Sequence, residues 1–163
     1  MEQYVVFKSH QQLFAIRVKD VDRVIEANRF IALPEVADFI LGVYEYHENM
    51  LPIVDIRKKL FGQFSNQEDE SKVILCRWQD HLQGLYVEDI IGISYMEETS
   101  YEQDLVKSLL KNSYIEKFLK LEDEVVMLLE LEYLFNNEQS KEAFLEIEQL
   151  IEADSEEQED VAD

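Results

Sequence analysis

The sequence predicts an all-β fold built from two small barrels, and three observations carry that prediction. Short runs of β-branched and aromatic residues alternate with polar turns along most of the chain. These runs come in hairpin pairs, and the second half repeats the order of the first. Several runs are continuously apolar where a sheet wetted on one side would alternate, so both faces of those strands are expected to be covered.

At least eight strands are expected. Residues 5–7 and 13–18 flank a polar connection at 8–12, and 41–46 and 50–56 flank 47–49. Each pair reads as a hairpin. Residues 73–78 and 82–87 then flank 79–81, and 114–121 and 125–131 flank 122–124, so the same plan returns. Pro52 suits an edge or a bulge, because it cannot donate to a ladder. Four glycines and two prolines are few for so many turns. Short helical pieces are expected near 36–40, 57–61 and 101–111. A C-terminal amphipathic helix is expected over 138–152, where Ala143, Phe144, Ile147, Leu150 and Ile151 recur at helical spacing among glutamates. Residues 153–163 hold too little apolar surface to offset ordering entropy and are expected to form a disordered acidic tail. Residues 1–137 remain as one domain of two barrels.

The repeat is weak but ordered. Val5-Val6-Phe7 resembles Val73-Ile74-Leu75, and Val18-Lys19-Asp20-Val21 resembles Val87-Glu88-Asp89-Ile90 at an offset of 69. The run from Met50 to Ile56 resembles that from Val125 to Leu131 at an offset of 75, and Leu60-Phe61 answers Leu134-Phe135. Two copies of a strand unit argue for paired barrels, because closing each sheet removes its exposed edges. The polar segment 62–71 is expected to join them.

With 163 residues, 47% of them apolar, the chain can form a sizeable core. Its net charge of −21 repels phosphate backbones and anionic lipid headgroups, which argues against nucleic acid and membrane surfaces as direct partners. The charge is uneven: residues 1–65 carry eight basic and nine acidic side chains, whereas 138–163 carry one and eleven. The first stretch is therefore the expected docking surface. The opening residues lack a signal-like apolar run, and a cytoplasmic protein is expected. Cys76 lies in an apolar run and is expected to be a buried, inert thiol.

Little in the chain suggests chemistry. Gly42, Gly62, Gly84 and Gly92 are never closer than eight residues, so no phosphate-cradling loop is seen. His10, His47 and His81 fall in expected hairpin turns without a neighbour at metal-ligand spacing, and the acidic run 67–70 lacks the order of a calcium loop. No catalytic residue, metal site or cofactor is assigned. An inhibitor that mimics a polyanion through residues 138–163 is a rival from another class.

Two segments carry a family resemblance. Leu33-Pro34 with Ala37-Asp38-Phe39-Ile40-Leu41-Gly42-Val43, followed by Leu51-Pro52-Ile53-Val54-Asp55-Ile56-Arg57-Lys58-Lys59-Leu60-Phe61, resembles the signature of the CheW-like family of bacterial chemotaxis coupling proteins. The likeness runs from about Tyr4 to Phe135. It implies two five-stranded, SH3-like barrels and a non-enzymatic adaptor. The partners implied are the cytoplasmic tips of chemoreceptors, lying against a groove between the barrels, and the regulatory domain of a CheA-type histidine kinase. The receptor-facing positions would be Val21, Arg23, Gly42 and His47, and Met50-Leu51 would lie by a kinase-facing strand. Two positions depart from the family pattern: His47 stands where an Arg is usual, and Arg23 where a Glu is often found. The alternative these departures raise is a divergent scaffold that keeps the kinase face and has altered its receptor face.

Overall fold

A computed structural model describes residues 2–27, 29–66, 72–98 and 114–136. Among them are ten strands: β1 (Glu2–Ser9), β2 (Gln12–Arg17), β3 (Val21–Glu26), β4 (Ile40–Tyr46), β5 (Asn49–Asp55), β6 (Lys72–Trp78), β7 (His81–Val87), β8 (Asp89–Glu98), β9 (Ile115–Leu121) and β10 (Glu124–Leu129). A 3-10 turn covers Val18–Asp20, and two short helices, α1 (Ile56–Phe61) and α2 (Leu131–Asn136), follow β5 and β10. The strands form a closed barrel, β1-β2-β10-β9-β8, and a second five-stranded sheet in the order β3-β6-β7-β5-β4. The predicted all-β, two-lobed architecture is therefore present.

The repeat and the lobes are out of phase. The second sheet takes all its strands from β3 to β7, nested between β2 and β8 of the barrel. The segment 62–71 thus does not join two barrels. In the chain it falls between α1 and β6, and β5 and β6 belong to the same nested sheet; the lobes connect instead through Val18–Asp20 and through Glu88. The duplication survives as an approximate two-fold relation that exchanges β1–β5 with β6–β10. Ala15 pairs with Leu128 in the parallel β2–β10 contact, and their repeat mates Gly84 and Ile53 pair in the parallel β7–β5 contact. Even the bulges repeat. Asp22 is the extra residue between Val21 and Arg23 opposite β6, and Ile91 the extra residue between Ile90 and Gly92 opposite β1. Leu41 and Glu116 are the matching extra residues in β4 and β9.

Among the described residues, three apolar clusters hold the fold. Tyr4, Val6, Leu119 and Val126 lie inside the barrel, and Ile53, Val73, Leu75 and Tyr86 inside the nested sheet. A third, larger cluster lies between the lobes and joins Val5, Phe7 and Ile16 to Ile74, Cys76 and Leu85. Alternate residues of β1 and β6 thus face different cores, which is why these strands read as continuous apolar runs. Each fully buried Leu, Ile or Phe contributes about 1.5–3 kcal/mol. Cys76 is buried here, and burial pushes its thiol far above the ordinary range, as expected of an inert cysteine.

The scarcity of glycine is explained at the turns. His10-Gln11, His47-Glu48 and Gln79-Asp80 all take positive φ, the geometry of tight two-residue hairpins, without glycine. His10 and His47 therefore lie in turns, but His81 does not: it is the first residue of β7 and pairs with Trp78. The helical piece expected near 36–40 is absent. Glu35 takes φ 60 and the Ile40 amide donates to the Ala37 carbonyl, giving turns that lead into β4. The helices expected over 101–111 and 138–152 and the tail 153–163 lie outside the described residues.

Asp55 anchors the junction of β5 and α1. Its buried carboxylate accepts from the amides of Arg57 and Lys58 at 3.1 and 3.3 Å, capping the helix, and from the amide and hydroxyl of Ser65 at 2.9 and 2.6 Å. Beyond the helix, Gly62 takes φ 77 and its amide closes on the Lys58 carbonyl. Asp55→Ala leaves these donors unsatisfied and is expected to destabilise the fold by about 2–3 kcal/mol, read as a lower urea midpoint. An unchanged midpoint would show that this cap is dispensable.

Candidate functional site

The site is built from the two bulged strands that the repeat relates, β3 and β8. They flank a groove of about 480 Å³ between the lobes, lined by Val21, Val24 and Ile25 on one side and Ile90, Gly92 and Ile93 on the other, with Val5 among its lining residues. The outer face of β8 continues the apolar surface: Ile91, Ile93 (62% exposed) and Tyr95 (60%) alternate along it, and Val24 is exposed on β3. Adjacent large apolar side chains left in water are the mark of an interaction surface. The β3 rim is polar, with Asp22, Arg23, Glu26 and Lys72.

The β3 bulge sets the local chemistry, because an extra residue re-aims its side chain. Asp22 Oδ2 lies 3.6 Å from Arg23 Nε, and Asp22 Oδ1 lies 2.8 Å from Arg77 Nη2 on β6. The Arg23 guanidinium stands 5.7 Å from the Tyr46 ring centre, and that ring meets His47 at 4.2 Å. β3 and β4, the outer strands of the nested sheet, are thus brought together by side chains. Lys72 pairs with Glu26 at the far end of β3.

The structure brings together some expected site residues and separates others. Val21 and Arg23 line the groove, and His47 joins Arg23 through Tyr46. Gly42 is buried, and its bare backbone packs against the Ile31 carbonyl. Met50 is half-buried against the central cluster, and Leu51, 4% exposed, lies in the nested sheet's core. The surface beside them is formed by Glu45, His47, Glu48 and Asn49, all exposed. Val24, Ile91, Ile93 and Tyr95 were not anticipated, although the alternation Ile91-Gly92-Ile93-Ser94-Tyr95 is a signal for a strand with one apolar outer face.

A second ion pair braces the barrel away from the groove. The bulge residue Glu116 meets Arg17 with paired bonds of 2.6 and 2.7 Å. Arg17's hydrogen bond holds the Glu116 carboxyl below its usual range, while burial, then the nearby Glu116 charge, raises that of Glu130. Among the described residues, no group of three His, Cys, Asp or Glu could hold a metal ion, and no helix is long and apolar enough to cross a membrane.

Comparison with known proteins identifies the fold's relatives. Residues 3–139 match the CheW-like domain family. The chain is 24% identical over 145 residues to the chemotaxis protein CheW of Bacillus subtilis, covering 87% of this chain and 92% of that protein. It is 18% identical over 137 residues to the chemotaxis protein CheW of Helicobacter pylori, covering 83% and 82%. The crystal structure of the scaffolding protein TtCheW from Thermoanaerobacter tengcongensis aligns with a TM-score of 0.70 at 19% identity, covering 85% of this chain and 90% of that one. Its two-lobed β architecture is the one described above. The match spans nearly the whole chain, so this protein belongs to the CheW-like family, whose members are chemotaxis scaffolds and adaptors, not enzymes.

Proposed function

We propose that this chain is a cytoplasmic adaptor that couples the cytoplasmic tips of chemoreceptors to the regulatory domain of a CheA-type histidine kinase. The observation that carries this reading is the apolar groove between the lobes, lined by Val21 and Arg23, two of the positions the family resemblance assigns to the receptor. An open trough with exposed Ile93 and Val24 suits the apolar stripe of a helical hairpin. The kinase would meet the β4–β5 hairpin near Met50, through the exposed Glu45 and Asn49 beside it. The adaptor contributes geometry: holding two partners on one body raises their effective concentration with no chemical step. Recruitment to receptor arrays at the membrane follows from the same contacts.

A second reading, a scaffold that binds the kinase but has altered its receptor face, is favoured by the cationic Arg23 on the groove wall and by His47 at the hairpin turn. Calorimetry at low salt separates the two. The cognate kinase regulatory domain and a receptor-tip fragment from the same organism should each bind the full chain. Absence of any heat with the kinase domain sinks both readings, and binding of the kinase domain alone supports the second.

A further inference from the structure

We infer that the β3 rim of the groove is a carboxylate-binding site, which selects a helical partner carrying an acidic side chain beside its apolar stripe. The inference rests on the adaptor reading and names the chemistry that its receptor face recognises. Arg23 and Arg77 reach one carboxylate, Asp22, from adjacent strands, and both remain 58% exposed. A single carboxylate cannot neutralise two guanidinium groups. Arg23 engages Asp22 through Nε and Arg77 through Nη2, so each keeps further N–H donors for a carboxylate from outside.

The charge balance points the same way. Around Asp22, the two guanidinium groups of Arg23 and Arg77 meet one carboxylate, on a chain of net charge −21. Two guanidinium groups at one carboxylate give an acidic side chain a local attraction at this rim. The Tyr46 ring beside the Arg23 guanidinium restrains it before any partner arrives, which lowers the entropy lost on binding.

The two-fold relation adds direction. Arg23 on β3 corresponds to Gly92 on β8, and Val24 corresponds to Ile93. The groove therefore has two walls of matching backbone, and at this one matched position β3 carries a guanidinium where β8 has no side chain. Apolar side chains line both walls, but the acidic side chain of a helical-hairpin partner finds a guanidinium only on the β3 wall, since β8 lines the groove with Ile90, Gly92 and Ile93. This asymmetry fixes which way round the hairpin lies.

The test uses the full chain and a cytoplasmic-tip fragment of a chemoreceptor from the same organism, titrated at low and high salt. Wild-type binding should weaken as salt rises. Arg23→Glu should weaken low-salt binding about tenfold and flatten the salt dependence, and Arg23→Met should lose less. Reversing the charge of the contacting acidic residue on the fragment should restore binding to Arg23→Glu. Thermal melting should fall only slightly, since the lost ion pair is exposed, and kinase-domain binding should persist. If the wild type binds the fragment and Arg23→Glu binds as tightly, the inference falls while the adaptor reading stands. If the wild type does not bind the fragment, the receptor face of that reading falls, and the inference with it.

Discussion

Gly42→Ala is expected to lower the stability of the folded chain by about 3 kcal/mol, a large share of the 5–15 kcal/mol typical of a domain. Two independent terms add. Gly42 has φ 149, a conformation that side chains disfavour. An added Cβ would also lie 2.3 Å from the Ile31 carbonyl oxygen and 2.8 Å from its carbon, and a backbone cannot give way as a flexible side-chain end can. The substitution would push Ile31 off β4 and break the reciprocal Ile31–Val43 hydrogen bonds, each 2.9 Å. Gly92 supplies the internal comparison. It has φ 150 but open space around its missing Cβ, so Gly92→Ala should cost only about 1 kcal/mol. Urea unfolding of both variants checks the pair. Equal midpoints would show that the close approach to Ile31 carries no energy. If the Gly42→Ala midpoint falls as expected, a receptor-binding defect in that variant reads as loss of fold, since this residue offers no side chain to a partner.

Ile93→Asp is expected to weaken receptor-tip binding about a hundredfold while leaving the melting temperature and kinase-domain binding unchanged. Ile93 is 62% exposed, so the free protein loses little when it becomes charged. In the complex, the same carboxylate would be buried in the apolar half of the groove without a partner, and an unpaired buried charge is among the most expensive changes an interface can suffer. Calorimetry with the receptor fragment measures the loss. An unchanged affinity would move the receptor contact away from the groove.

Much of the fold was legible in the sequence. The hairpins that bury both faces announce themselves as apolar runs, and the offsets of 69 and 75 match the pairing of Ala15 with Leu128 and of Gly84 with Ile53. The strand patterning did not reveal β3 and β8. Each leaves large apolar side chains such as Val24 and Ile93 in water, so its exposed face reads like a buried one and the apolar pattern does not mark a core face. The groove was hidden for the same reason, since these two strands form its walls. The division into lobes was misplaced because a repeat shows which segments are alike and says nothing of which ones pair. Parallel contacts such as β2–β10 join residues more than a hundred positions apart. Leu51 shows the limit of carrying a role by resemblance: its neighbourhood faces outward while its own side chain fills a core.

The nesting of one lobe inside the other has a consequence for synthesis. Translation delivers β1 and β2 first, but their barrel cannot close until β8, β9 and β10 have left the ribosome. The inner lobe has all its strands as soon as Val87 emerges. The usual amino-terminus-first order of maturation is therefore inverted here. A nascent chain stalled just past Glu88 would hold a paired inner sheet and a lone hairpin still waiting for its neighbours.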